Sequence, residues 1–135
     1  MEQKLTVFTV DDSAIVYKLI GPLIAETKNI TWVGHAFSLT YAYMQIDKKK
    51  PNVVILDIQL REEKGFELLE YLSTNHPGIA VIMFTNSSSQ PYRQKCKKLG
   101  AKYFLDKSTE FETIPKILTE LTNNLVPIQQ YDSSI

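Results

Sequence analysis

Val53-Val54-Ile55-Leu56 run straight into Asp57, and Ile58 restores the apolar character after it. Desolvating an unpaired carboxylate costs several kcal/mol, so Asp57 needs partners. Candidates stand at the ends of the other apolar runs. Asp11 and Asp12 follow LTVFTV, Thr85 follows IAVIMF, and Asp106 and Lys107 follow KYFL. Three carboxylates in one crevice repel, and the pKa of at least one rises unless a cation enters. Carboxylate oxygens completed by waters and phosphate oxygens suit Mg²⁺. A lysine adds a second positive charge and a threonine hydroxyl adds a donor, a set that suits a doubly negative tetrahedral group. An aspartate can itself be the nucleophile that receives a phosphoryl group, with metal and lysine neutralising charge during in-line transfer.

These residues cooperate only if the fold gathers them. Five short apolar runs read as strands: 5–10, 30–37, 53–56, 79–84 and 102–105. The first, third and fourth are nearly continuous in apolar or β-branched residues, as in strands buried on both faces of a parallel sheet. Between them, residues 13–28 carry a helical stripe through Ile15, Val16, Leu19, Ile20, Leu23 and Ile24, which Pro22 should kink or shorten. Further helices are expected over 39–49, 64–74, 90–99 (stopped by Gly100) and 111–125, where Thr109 and Glu112 have capping-box spacing.

This β-α order, repeated five times, implies parallel strands and helices on both faces. Ligands of such open sheets bind outside the carboxyl ends of the strands, where the winding reverses. With strand order 2-1-3-4-5, that point brings Asp11, Asp12 and Asp57 together, with Thr85 and Lys107 alongside. Residues 1–125 read as one domain. Residues 126–135 lack periodicity and are expected to form a mobile tail.

Each residue also has a plainer role open to it. Asp12 or Ser13 would cap the first helix, but a cap explains one acid and not two. Thr85 alone reads as a loop threonine and Lys107 alone as a surface lysine; their joint placement at strand ends favours the site. His35 and His76 lack metal-ligand spacing and read as structural. Cys96 reads as a buried helix residue, and Lys48 to Lys50 as a solvated helix end.

Fifteen basic residues offset fifteen acidic ones, which argues against a nucleic-acid or membrane-surface binder. A single cysteine permits no internal disulfide, and no run approaches a membrane span. A cytoplasmic location is expected.

Asp11-Asp12, Leu56-Asp57, Thr85 and LGAKYFLDKS (99–108), in that order, resemble the receiver domain of bacterial two-component response regulators over residues 4–124. The resemblance implies a flavodoxin-like (βα)5 fold. It implies that Asp57 accepts a phosphoryl group from a sensor histidine kinase, a histidine phosphotransfer protein or a small acyl phosphate. Asp12, Asp57 and the Gln59 carbonyl would ligate Mg²⁺, with Asp11 acting mostly through water. Lys107 would pair with Asp57, Thr85 would swing onto the phosphoryl group, and Phe104 would turn inward as the switch aromatic. Gln59 and Ser87 lie where the family tunes phosphoryl lifetime. Asn86 stands where a smaller residue is common and would restrict access to Asp57. Arg61 and Ser108 replace prolines common in the family, so a mobile loop and no cis-proline are expected there.

The implied readout is a downstream protein docking on the fourth helix, fifth strand and fifth helix. The implied protein is a stand-alone regulator without an output domain, with a homodimer among its expected states. Two other classes fit the same residues: a receiver-like interaction module that works unphosphorylated, and a Mg²⁺-dependent aspartyl-phosphate phosphohydrolase. Steady turnover of a phosphomonoester would distinguish the last.

Overall fold

A computed structural model describes the chain over residues 4–60 and 63–133. The elements are β1 (Leu5–Val10), α1 (Ala14–Ala25), β2 (Ile30–Ala36), α2 (Leu39–Lys49), β3 (Val53–Leu56), β4 (Gln59–Leu60), β5 (Glu63–Lys64), α3 (Phe66–Asn75), β6 (Ala80–Thr85), α4 (Gln90–Lys98), β7 (Tyr103–Asp106) and α5 (Ile114–Ser133). A one-turn 3₁₀ helix, Phe111–Thr113, leads into α5.

Five strands form one parallel sheet in the order β2-β1-β3-β6-β7. This is the flavodoxin-like order expected from the sequence. The strands alternate between two cores, because side chains on a strand point to opposite faces in turn. Phe8, Val10, Val54, Leu56, Val81 and Met83 face one core with α2, α3 and Cys96 of α4. Leu5, Val7, Val53, Ile55, Ile82 and Phe84 face the other with α1 and α5.

β2 breaks this alternation. Val7 pairs with Trp32 but Phe8 pairs with Gly34, so Val33 is an extra residue in a β-bulge. Trp32 and His35, three apart, would otherwise point to opposite faces. With the bulge, His35 lies opposite Thr9 and shares the α1 face with Trp32. The Val33 carbonyl accepts from Lys49 Nζ at 2.6 Å. Lys49 therefore braces the bulge, a role its place in a lysine run does not suggest.

Several boundaries differ from expectation. Gln59–Leu60 and Glu63–Lys64 pair antiparallel as a short hairpin, so α3 starts at Phe66 rather than at residue 64. Arg61, and the loop mobility expected there, lie outside the described residues. α1 stops at Ala25, three residues past Pro22. The capping box at Thr109 and Glu112 is not used: Glu110 is the N-cap of the 3₁₀ turn, and Pro115 falls in the first turn of α5, where a missing N–H is tolerated. α5 runs to Ser133, past the expected end at Leu125. No peptide bond among the described residues is cis, in keeping with Ser108 in place of proline. Among the described residues no helix is long and apolar enough to cross a membrane.

Candidate functional site

The carboxyl ends of β1, β3, β6 and β7 converge on an open cleft of about 430 Å³, lined by Asp12, Ser13, Val16, Asp57, Gln59, Thr85, Asn86, Ser87 and Lys107. Asp11, Asp12 and Asp57 each present a carboxylate oxygen within 4.8 Å of the others. Asp11 and Asp57 are buried, and Asp12 is partly exposed.

Lys107 joins the two buried acids. Its Nζ lies 2.6 Å from Asp11 Oδ2 and 2.8 Å from Asp57 Oδ2. The other oxygen of each acid accepts a backbone N–H, from Ser13 to Asp11 Oδ1 at 2.9 Å and from Gln59 to Asp57 Oδ1 at 3.3 Å. Ser13 also caps α1, its hydroxyl accepting from the Val16 N–H. Capping thus falls to the serine, and both aspartates are left for other work.

Burial raises the Asp11 pKa above its ordinary value; the Lys107 and Ser13 contacts offset this only in part, and the Asp57 charge adds to it. Burial pulls on Lys107 in the opposite sense, but hydrogen bonds and charge from Asp11 and Asp57 outweigh it and hold the ammonium above its usual pKa. One lysine therefore stays protonated between two carboxylates that it does not fully compensate. Three acids against one lysine make a hard, anionic oxygen cluster, the donor set that Mg²⁺ prefers.

Thr85 is fully buried at the end of β6, its Oγ1 accepting the Ser87 N–H at 3.2 Å. Asn86 is exposed at the rim, where its Oδ1 accepts from the Ser108 hydroxyl at 3.2 Å. That bond ties the loop after β6 to the loop after β7. The Gln59 side chain is held by Lys64 Nζ at 3.0 Å across the small hairpin. Phe104 is half-buried on β7 outside the cleft lining, with the Arg93 guanidinium 4.7 Å from its ring centre. Of the nine residues singled out from the sequence, Asp12, Asp57, Gln59, Thr85, Asn86, Ser87 and Lys107 line the cleft. Asp11 lies beneath it, and only Phe104 stands apart.

Two contributors carry no sequence signal of their own. Gly65 donates its N–H to Ile58 O at 2.5 Å, and a Cβ there would collide with the Asp57 carbonyl oxygen. Only glycine lets the hairpin return so close behind Asp57. His35 donates from Nε2 to the Asp11 carbonyl at 2.9 Å. Burial lowers the His35 pKa and outweighs the opposing effect of that bond, so the ring is neutral near pH 7.

The chain is similar to known proteins over most of its length. A family model described as the response regulator receiver domain matches residues 7–119. A protein-glutamate methylesterase/protein-glutamine glutaminase of Treponema denticola is 27% identical over 127 residues, covering 86% of this chain and 34% of that protein. The chain thus spans about a third of the length of that relative. Among solved structures, the response regulator domain of Thermotoga maritima CheB matches with TM-score 0.77 and 23% identity over 90% of this chain and 96% of that one. A LuxR-family two-component response regulator from Aurantimonas matches with TM-score 0.82 and 20% identity over 90% and 87%. These two likenesses are of fold. With the family model covering most of the chain and the acid cluster and lysine gathered at the strand ends, the chain belongs to the response regulator receiver domain family.

Proposed function

We propose that Asp57 accepts a phosphoryl group in a Mg²⁺-dependent reaction and that the phosphorylated form signals by a shifted protein–protein contact. The observation that carries this is Asp57 itself: a buried carboxylate opening into the cleft, with Lys107 on one oxygen and an acid pair beside it. The proposed donor is the phosphohistidine of a sensor kinase or of a histidine phosphotransfer protein.

A carboxylate oxygen of Asp57 forms the bond to phosphorus, and the bond from phosphorus to the donor imidazole breaks. The leaving ring keeps the electron pair. Asp12, Asp57 and the Gln59 carbonyl would hold Mg²⁺, with Asp11 acting through water. When bound, Mg²⁺ offsets the repulsion between carboxylates and incoming phosphoryl oxygens. Lys107 would move its contact from Asp57 Oδ2 to a phosphoryl oxygen, keeping Asp11 as its second partner. Thr85 would donate its hydroxyl to another. Asn86 and Ser87 at the rim would set how water and small donors approach.

Output follows from which conformation the new contacts favour. Thr85 movement would draw Phe104 inward. Arg93 rests on Phe104 and donates to the Ser88 carbonyl at 2.9 Å, which supports a link from that motion to α4. The proposed docking face is therefore α4, β7 and α5.

The test is intact mass after incubation with a small acyl phosphate, with and without Mg²⁺, on wild type and Asp57→Asn. One phosphoryl group on wild type only, and only with Mg²⁺, is expected. If neither small donors nor a panel of phosphorylated histidine kinases modifies the wild type, the proposal is wrong and the unphosphorylated interaction module replaces it.

A further inference from the structure

The acid cluster is tied from behind to the edge of the sheet. His35 Nε2 lies 2.9 Å from the Asp11 carbonyl, which can only accept, so Nε2 carries the proton. In the neutral ring Nδ1 must then accept, and Thr9 Oγ1 stands 2.6 Å from it. The Gly34 carbonyl, also within reach of that hydroxyl, is at 3.5 Å, at the edge of hydrogen-bond range, so the Thr9 proton goes to His35. Thr9 Oγ1 in turn accepts from Trp32 Nε1 at 3.0 Å. The result is a polarised chain with every donor pointing the same way: Trp32 to Thr9, Thr9 to His35, His35 to Asp11. Such chains strengthen cooperatively where the local dielectric is low. Thr9, Val16, His35, Asp11, Asp57 and Phe84 close around its inner end without room for a water molecule, while Trp32 and the outer side of His35 border an open surface pocket of about 250 Å³.

The local fold is arranged for this chain. The bulge at Val33 turns His35 onto the face of Trp32, and Lys49 braces the bulge carbonyl. Bulges commonly re-aim a side chain beside a site. Gly21 of α1 makes room for the indole, since a Cβ there would sit 2.6 Å from Trp32 Cζ3. Tyr17 and Phe37 pack on the imidazole edge to face, with centroids at 4.8 and 4.4 Å, and fix its plane.

We infer that His35 is a positioning residue for the acid cluster: through the Asp11 carbonyl it fixes the turn that presents Asp11 and Asp12 to the metal. Trp32 at the far end then reports the state of that turn. This rests on the proposed Mg²⁺-dependent reading of the site.

The probe is Mg²⁺ alone, titrated into the full chain by calorimetry and followed by Trp32 fluorescence, the only tryptophan of the sequence. His35→Phe keeps a ring in place but removes both nitrogens. His35→Gln keeps an N–H near the position of Nε2. Loss of a group that orients metal ligands typically weakens metal binding about tenfold or more. His35→Phe should therefore bind Mg²⁺ about tenfold more weakly, and His35→Gln should recover most of the loss. Nitrogen NMR of wild-type His35 should show the Nε2–H tautomer, with its signals moving on Mg²⁺ addition; this needs no variant and holds even if His35→Phe folds poorly. A folded His35→Phe that binds Mg²⁺ as wild type does, or an Nδ1–H tautomer, overturns the inference and leaves the proposed function intact. A wild type that binds no Mg²⁺ and accepts no phosphoryl group removes both.

Discussion

Lys107→Met keeps most of the side-chain volume and deletes the charge between Asp11 and Asp57. Both acids and the lysine are nearly buried, with side-chain exposures of 5%, 7% and 12%. Two carboxylate charges within 4.8 Å repel by about 3.5 kcal/mol at an effective dielectric of about 20. The penalty has a ceiling, because one acid can bind a proton instead. Holding a carboxyl of ordinary pKa 3.8 protonated at pH 7 costs about 4 kcal/mol. Relief of the lysine's own desolvation reduces the loss, so about 3 kcal/mol is expected, in the range for breaking a buried pair. That is a fall in Tm of about 10–15 °C for a chain of this size. The pH dependence has a definite sign. In the variant an acid has its folded pKa raised above the unfolded one, so stability is present below the unfolded pKa and lost as pH rises through the folded pKa. The gap between variant and wild type therefore narrows from pH 7 to pH 5. Mg²⁺ should also narrow it, since the ion replaces the missing positive charge and stabilises only the folded state. Urea denaturation at both pH values, with and without Mg²⁺, measures all of this. A gap below about 1 kcal/mol at pH 7, or one that fails to narrow at pH 5, would refute the charge argument.

Gly65→Ala forces a Cβ onto the Asp57 carbonyl; a loss of about 1–3 kcal/mol in urea denaturation and slower phosphoryl uptake by mass are expected, and unchanged uptake would show that the hairpin does not position Asp57. Burial pushes the Cys96 thiol up to about 11, so a thiol reagent at pH 8 should label it only as fast as the chain opens; labelling of native protein at the denatured rate would contradict its burial. Asp47 accepts from His76 Nε2 at 2.8 Å, and that bond holds its carboxyl below the ordinary value. The contribution is present above the unfolded pKa and lost as pH falls through the folded one. Because Asp47 is about half exposed, Asp47→Asn should cost less than about 1 kcal/mol at pH 6, measured by urea denaturation, and nothing below the carboxylate range.

The heart of the site was legible in the sequence because Asp11, Asp57 and Thr85 each follow an apolar run, with Asp12 and Lys107 one place further on, whereas Gln59, Asn86 and Ser87 came only from the family resemblance. β1 and β3 match their expected bounds residue for residue, since a strand buried on both faces reads as an unbroken apolar block. Once those strands are neighbours, Asp11, Asp12 and Asp57 have nowhere else to go. The β4–β5 hairpin was not legible: two-residue strands have no period, and Lys64 reads as the polar start of a helix. The bulge in β2 was hidden for a similar reason. ITWVGHA alternates poorly in any register, so nothing in the string says that Val33 is supernumerary or that His35 turns inward. His35 reads as structural in the sequence because it has no partner at metal-ligand spacing and belongs to no Ser/His/Asp pattern. Its hydrogen bond to the Asp11 backbone depends on pairing between β1 and β2, which a motif does not encode.

α4 buries a single side chain, Cys96. Its other attachments are made by half-buried rings packed on the core and by cations laid over them. Phe66 stacks on Tyr92 at 5.9 Å, Lys95 sits over Phe66 at 4.1 Å, and Lys64 over Tyr92 at 5.6 Å. Exposed positions away from such contacts change stability by only about 0.5 kcal/mol when substituted. The outer face of this helix can therefore drift through sequence space at little thermodynamic cost, whereas Asp11, Asp57 and Lys107 constrain one another. If α4 is the docking face as proposed, a chain built this way can acquire a new listener by rewriting one helix surface while the acid cluster stays as it is.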